Sequence, residues 1–225
     1  MCGRYVLHTP VGALAEAFGA AGPLPNFPAR YNIAPTQQGL ILKRDPDGVR
    51  RLHSARWGLV PSWSRDLSIG ARLINARAET LGEKPSFRAA FQARRCVVPA
   101  DGFYEWVAEG KQRKPLWIRR PDGRPLALAG LWEVATGVDG DSLQTFSIVT
   151  TESRGGLAPI HDRCPVILGE AGVATWLAPH EPADEIVALM QPEDHGLLVS
   201  PADPRANSVR NDDHHLIEPP PATLF

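Results

Sequence analysis

Apolar residues along this chain fall into short runs, many alternating with polar neighbours and separated by Pro, Gly, Asn and Asp. Alternation places every second side chain on one face, the period of a β-strand. Strands are predicted over residues 39–43, 50–57, 95–99, 103–107, 116–119, 126–131, 145–150 and 165–168. Helical spacing is confined to a few segments. Thr9 and Pro10, followed by Val11, Leu14, Ala15 and Phe18, predict an amphipathic helix with Thr9 as its cap and proline in its first turn. Further helices are predicted over 86–93, 171–177 and 183–190, and a loop over 21–28. The 22 prolines and 20 glycines are spread throughout, which favours many short elements over long helices. Together these predict a single α+β domain over residues 1–225, built on a curved, partly barrel-like, mostly antiparallel sheet with a few short helices. The Pro-, Asn- and Asp-rich tail from Ser200 is expected to wrap the surface and to loosen after about residue 219.

Composition narrows the class without naming a function. Apolar residues make up 43% and charged residues 22%, ordinary for a soluble globular protein. Cys2, Cys96 and Cys164 are widely spaced, with no Cys-x-x-Cys pair, so neither a zinc site nor a disulfide framework is expected. Such usage fits a reducing cytoplasm. The start lacks the basic segment and long apolar run of a signal peptide. No stretch approaches the ~20 apolar residues of a membrane span. The net charge of −1 hides an asymmetry. Residues 43–125 carry 18 Lys and Arg against nine Asp and Glu, whereas residues 126–225 carry four against 15. A basic middle on a near-neutral chain points to an anionic partner at one face, unless folding scatters these charges.

The candidate chemistry begins at Cys2. Removal of Met1 ahead of a small residue would give Cys2 a free α-amine beside its thiol. The amine titrates near ~7.7–8.0 and the thiol near ~8.5 in free peptides, so both are usable nucleophiles near neutrality. This 1,2-aminothiol suits aldehyde capture: the amine forms a Schiff base and sulfur closes a five-membered thiazolidine. An amino-terminal nucleophile can also use its own amine as the base in acyl transfer. Three more segments set polar groups among apolar ones: Ile74-Asn75-Ala76-Arg77-Ala78-Glu79, Pro99-Ala100-Asp101-Gly102-Phe103-Tyr104-Glu105-Trp106, and Pro159-Ile160-His161-Asp162-Arg163-Cys164-Pro165. A carboxylate among aromatics can have its pKa raised into a useful range, and histidine titrates nearest neutrality. Glu105 could equally face solvent from an alternating strand, and His161 could be an ordinary loop residue. Arg56-Trp57-Gly58-Leu59-Val60-Pro61-Ser62-Trp63 pairs two indoles with a cation. Exposed indoles stack on the bases of single strands, whereas buried ones only fill a core.

These segments, with Cys2-Gly3-Arg4-Tyr5, Tyr31-Asn32-Ile33-Ala34-Pro35-Thr36, Arg95-Cys96-Val97-Val98, Ala129-Gly130-Leu131-Trp132 and Thr150-Thr151, occur in an order that resembles the SOS response-associated peptidase family of abasic-site processing proteins. The resemblance runs from residue 2 to about residue 209. It implies covalent capture of abasic sites in single-stranded DNA by Cys2, without cofactor or metal, in a cytoplasmic, nucleoid-associated monomer. It also implies that Asn75 holds Cys2 and the sugar oxygen, that Glu105 assists ring opening and proton transfer, and that His161 is general acid and base on the Schiff base. Arg4, Arg77 and Arg163 would bind flanking phosphates. Trp57, Pro61 and Trp63 would hold or wedge bases, with Asn32 and Pro35 also on the DNA path. Self-removal of Met1 is a further implied activity. Cys164 departs from the pattern, standing where the family usually has Met. Two other readings use the same residues: an amino-terminal-nucleophile peptidase or amidohydrolase acting on other substrates, and a non-catalytic single-strand binding module. The last gives Cys2, Glu105 and His161 no role.

Overall fold

The computed structural model describes residues 2–110, 112–136, 140–179 and 181–218. In chain order the elements are β1 (Tyr5–Leu7), α1 (Val11–Phe18), β2 (Arg30–Ile33), β3 (Gln38–Arg44), β4 (Arg50–Trp57), β5 (Asn75–Arg77), α2 (Arg88–Ala93) and β6 (Arg95–Ala100). They continue with β7 (Gly102–Glu109), β8 (Gln112–Arg119), β9 (Leu126–Thr136), β10 (Ser142–Glu152), β11 (Arg163–Pro165), α3 (Glu170–Leu177), α4 (Ala183–Ala188) and β12 (Leu198–Pro201).

Strands β10, β4, β3, β6 and β9 pair in that order, and β9 pairs back to β10, closing a five-stranded barrel. Its pairings are antiparallel except β4 with β10. Closure consumes edges that would otherwise invite association. The long strand β10 also carries β5 in parallel register and β11 antiparallel. A second, wholly antiparallel sheet runs β12-β8-β7-β1-β2. The two sheets share one core, with Ile33 and Phe103 from the second sheet in the same apolar cluster as Leu42, Val97, Leu128 and Phe146 from the barrel. This is the α+β, curved, mostly antiparallel architecture that the alternation predicts.

Only Asp101 separates β6 from β7, so the chain steps from barrel to second sheet across a single buried residue. Its carboxylate accepts from the His8 and Thr9 backbone amides and from the Thr9 hydroxyl. This changes the predicted start of α1. Thr9 does not cap the helix, because its hydroxyl is committed to Asp101; Pro10 takes the cap position without a side-chain bond. The predicted strand at 165–168 also shifts. The register with β10 ends at Pro165; Val166 bridges, donating to Val149 O and accepting from Ala129 N, and residues 167–168 run along β9, with Leu168 N donating to Ala127 O.

The tail is more built-in than its composition implies. Strand β12 pairs with β8, and Ala202, Ala206 and Leu216 cover Val6, Tyr104 and Trp117 on the outer face of the second sheet. The buried Asn32 amide donates to the carbonyls of Ser208 (3.0 Å) and Asn211 (2.7 Å), and Arg30 pairs with Asp212. The loosening expected after about residue 219 lies outside the described residues. No helix among the described residues is long and apolar enough to cross a membrane. Because Asp101 satisfies three donors at the crossover, Asp101→Ala is expected to lower unfolding free energy by about 2–4 kcal/mol in urea titrations and to speed amide exchange at His8 and Thr9.

Candidate functional site

The site forms where the start of β1 meets the edge strands carried by β10. Strand β1 lies between β7 and β2, and Tyr104 N donates to Arg4 O, so the residues before Tyr5 run alongside Glu105. Cys2 is fully buried there. Its carbonyl accepts from Asn75 Nδ2 at 2.7 Å, and Asn75 is positioned by the pairing of β5 with Ile148. Asn75 Oδ1 is buried with no hydrogen-bond partner among the described residues. Glu105, His161 and Cys164 line one narrow cleft with Phe103, Ile118, Ser153 and Leu157. The structure therefore brings Cys2, Asn75, Glu105 and His161 together from four separate stretches of sequence.

Burial sets the proton chemistry. Only 6% of Glu105 is exposed, and desolvation pushes its carboxyl up to about 7, with Asp162 reinforcing the shift. The Cys2 thiol is also pushed far up, first by burial and then by the Glu105 charge. That differs from the free-peptide expectation: an enclosed Cys2 holds its proton, so the thiol needs a base beside it to react. Burial moves His161 the other way, toward the neutral ring. Its Nδ1 accepts the Arg163 backbone N–H at 2.9 Å and lies 2.6 Å from the exposed Asp162 carboxylate. The neutral ring uses the first contact and leaves its other nitrogen protonated; the imidazolium uses the second. Cys164 is buried, its thiol pushed up mainly by desolvation.

The expected DNA-contact residues divide sharply. Trp63 is 63% exposed on the segment joining β4 to β5. The base of this segment is pinched where Gly58, at φ +115°, passes Gly70 so closely that a Cβ on either would meet the other's carbonyl oxygen at 2.5 Å. Arg77 is exposed at the end of β5, two residues beyond Asn75. Pro35 is half-buried between β2 and β3. Trp57, in contrast, is wholly buried: its indole N–H donates to Ile74 O at 2.9 Å, and its ring packs on Tyr5 and Phe146. Trp57 belongs to the core and has no face to offer a base. Pro61 is also buried.

Asn32 is fully enclosed and spends its amide on the tail, while its oxygen accepts from Arg4 at 2.7 Å. Arg4 further donates to Ala206 O and lies over Trp106. Arg163 makes a two-pronged pair with Glu79 at 2.6 and 2.9 Å and donates to Thr150 O. A phosphate would have to displace Glu79 from it. The one sequence signal for this Glu79 partnership is its place four residues after Asn75 in one polar motif.

Comparison with known proteins supports one assignment. The family model described as SOS response associated peptidase (SRAP) matches residues 1–209. Abasic site processing protein YoqW of Bacillus subtilis is 39% identical over 223 residues, covering 97% of this chain and 99% of that protein. Abasic site processing protein YedK of Escherichia coli is 31% identical, covering 97% and 100%; HMCES of Rattus norvegicus, of the same description, is 32% identical, covering 97% and 76%. A crystal structure of a protein from Bacteroides thetaiotaomicron superposes with a TM-score of 0.87 at 24% identity, covering 97% of this chain and all of that one, which shows a shared fold. The chain belongs to the SOS response associated peptidase family.

Proposed function

We propose that this protein captures abasic sites in single-stranded DNA by a covalent thiazolidine bond to Cys2. The observation that carries the reading is the placement of Cys2: its carbonyl is held by Asn75, and its thiol feels the charge of a carboxyl tuned by burial to about 7. The curated relatives, named abasic site processing proteins, support it. Once Met1 is removed, the Cys2 amine adds to the C1′ aldehyde of the ring-opened sugar. His161, neutral at rest, takes the amine's protons as imidazolium and passes them to the carbinolamine oxygen, and water leaves as the Schiff base forms. Glu105 accepts the thiol proton, sulfur bonds to the imine carbon, and the proton passes to nitrogen. One water is lost overall and no oxidant is needed. Self-removal of Met1 fits the same assembly, since that bond holds the Cys2 nitrogen as an unreactive amide; Met1 itself lies outside the described residues. Arg77 and Trp63 supply the accessible phosphate and base contacts, and the protein works in the cytoplasm, at the nucleoid.

Incubation with abasic and intact single-stranded oligonucleotides tests the reading. Wild type is expected to give a heat-stable adduct with abasic DNA alone. Cys2→Ala should give none while still binding DNA, and Cys2→Ser should trap at most a labile Schiff base. A stable adduct from Cys2→Ala removes Cys2 from the mechanism. Turnover of added peptides without adduct favours a peptidase acting on other substrates.

Arg77→Ala should flatten the salt dependence of binding, because each phosphate neutralised on a single strand contributes roughly −0.7 to the log–log slope. Trp63→Ala should weaken binding with the slope intact, since stacking releases no counterions. Trp57→Ala should instead cost about 3–5 kcal/mol of stability, as for a deleted core aromatic. Equal salt slopes for wild type and Arg77→Ala would make Arg77 a spectator.

Glu105 also leaves a mark on stability. Its folded pKa of about 7 lies above the unfolded value near ~4.3, so folding takes up a proton between those limits. Its stabilising contribution is full below the unfolded pKa and is lost as pH rises through the folded pKa. Glu105→Gln lacks that loss. Relative to wild type it should gain on the order of 2–3 kcal/mol in chemical denaturation between pH 4.5 and pH 8, while slowing adduct formation by about 10²–10⁴-fold. A pH-independent difference between the two would place the Glu105 carboxyl in an aqueous setting.

A further inference from the structure

We propose that His214, His215 and Glu218 form a surface site for a borderline divalent transition-metal ion of the Zn²⁺ class. The ligand atoms of these three exposed residues lie within 4.8 Å of one another. His215 Nδ1 is 2.8 Å from one Glu218 carboxylate oxygen, and His214 Nε2 is 3.7 Å from the other. A tetrahedral zinc ion with bonds of about 2.0–2.1 Å spaces its ligands about 3.3–3.5 Å apart. The two separations run to different carboxylate oxygens and fall on either side of that value, and the two imidazoles pack with centroids 3.9 Å apart, so the exposed side chains must rotate to converge on one ion. Two imidazoles and a carboxylate suit zinc, cobalt, nickel or copper; calcium and magnesium require an all-oxygen set. The lack of paired cysteines in the sequence bears only on thiolate sites and leaves this one open. Exposure of all three ligands keeps the fourth coordination position for water.

The ligands sit on a short turn that is already fixed from below. Asp213 accepts from His215 N, Leu216 N donates to Asp213 O, and Glu218 N donates to His215 O. Leu216 is fully buried against the second sheet. The His214 ring packs edge-on against Tyr31, which stacks on His8. A site on such a turn loses little freedom when it closes on a metal. An ion bound here would stiffen the turn that ends the segment held by Asn32 and Arg30 against β2, the segment that also supplies the Ala206 carbonyl to Arg4. All three ligands belong to that turn, so the ion would fix the turn's own conformation and leave the tail's seat to packing and hydrogen bonds.

Zinc titration calorimetry on the full chain tests this in a Cys2→Ala background, because the Cys2 aminothiol could itself chelate metal. One ion per chain is expected to bind at micromolar zinc and to raise the thermal midpoint. His214→Ala and His215→Ala should each weaken that binding at least tenfold, and the double variant should show no zinc-dependent midpoint shift. Absence of binding at micromolar zinc overturns the proposal. So does binding that His214→Ala and His215→Ala leave within threefold of the parent.

Discussion

The hydrogen bond from Asn75 to the Cys2 carbonyl ties the beginning of the chain to the barrel, and much of the site follows from it. In the proposed mechanism the Cys2 amine reacts, so the residue must be anchored by something other than that amine. The carbonyl is the one other polar backbone group it has, and Asn75 takes it. The partner must come from a rigid place. Strand β5 is three residues long, yet its pairing with β10 makes it a fixed edge of the closed barrel. From the other side, β1 is held as an interior strand of the second sheet. Cys2 is thus gripped between two sheets, and its neighbours Glu105 and His161 come one from each: β7 of the second sheet and the loop entering β11.

Burial then acts as the tuning device. The same exclusion of water raises the Glu105 carboxyl, raises the Cys2 thiol and moves His161 toward its neutral ring. Each shift disfavours charge in the resting site: the Cys2 thiol and the His161 ring rest neutral, while Glu105, at about 7, is divided between acid and carboxylate near neutrality and can give or take a proton. Asp162, at the exposed rim, gives an imidazolium a place to pair when one forms. The outer face needs the opposite property. Arg77 and Trp63 remain accessible, which is what the proposed capture of a charged, flexible strand calls for.

The fold was legible wherever a strand exceeded about five residues, because alternation then sets both its existence and its inward face. Strands β1, β2, β5 and β12, with three or four residues each, leave no mark in the pattern. They exist through pairing with distant partners, and three residues hold too little periodicity to announce that. At the site, Cys2, Asn75, Glu105 and His161 stood out as polar groups amid apolar runs. Exposure was harder to read. Trp57 and Trp63 lie six residues apart in one motif, yet one is core and the other solvent-facing, since β4 ends between them. Asn32 and Arg163 look like contact residues in sequence but are engaged by partners more than 80 positions away, Ser208 and Glu79.

The Arg4–Ala206 contact spans 202 residues, and the cleft that Glu105 and His161 line also needs Cys164 and the strand that carries it. Distant segments must be ordered before such contacts repay the lost entropy. The enclosure of Cys2 is therefore a property of the whole molecule rather than of its neighbourhood in sequence. Loss of a contact far along the chain admits water, and the Cys2 thiol and the Glu105 carboxyl then return together toward their ordinary values.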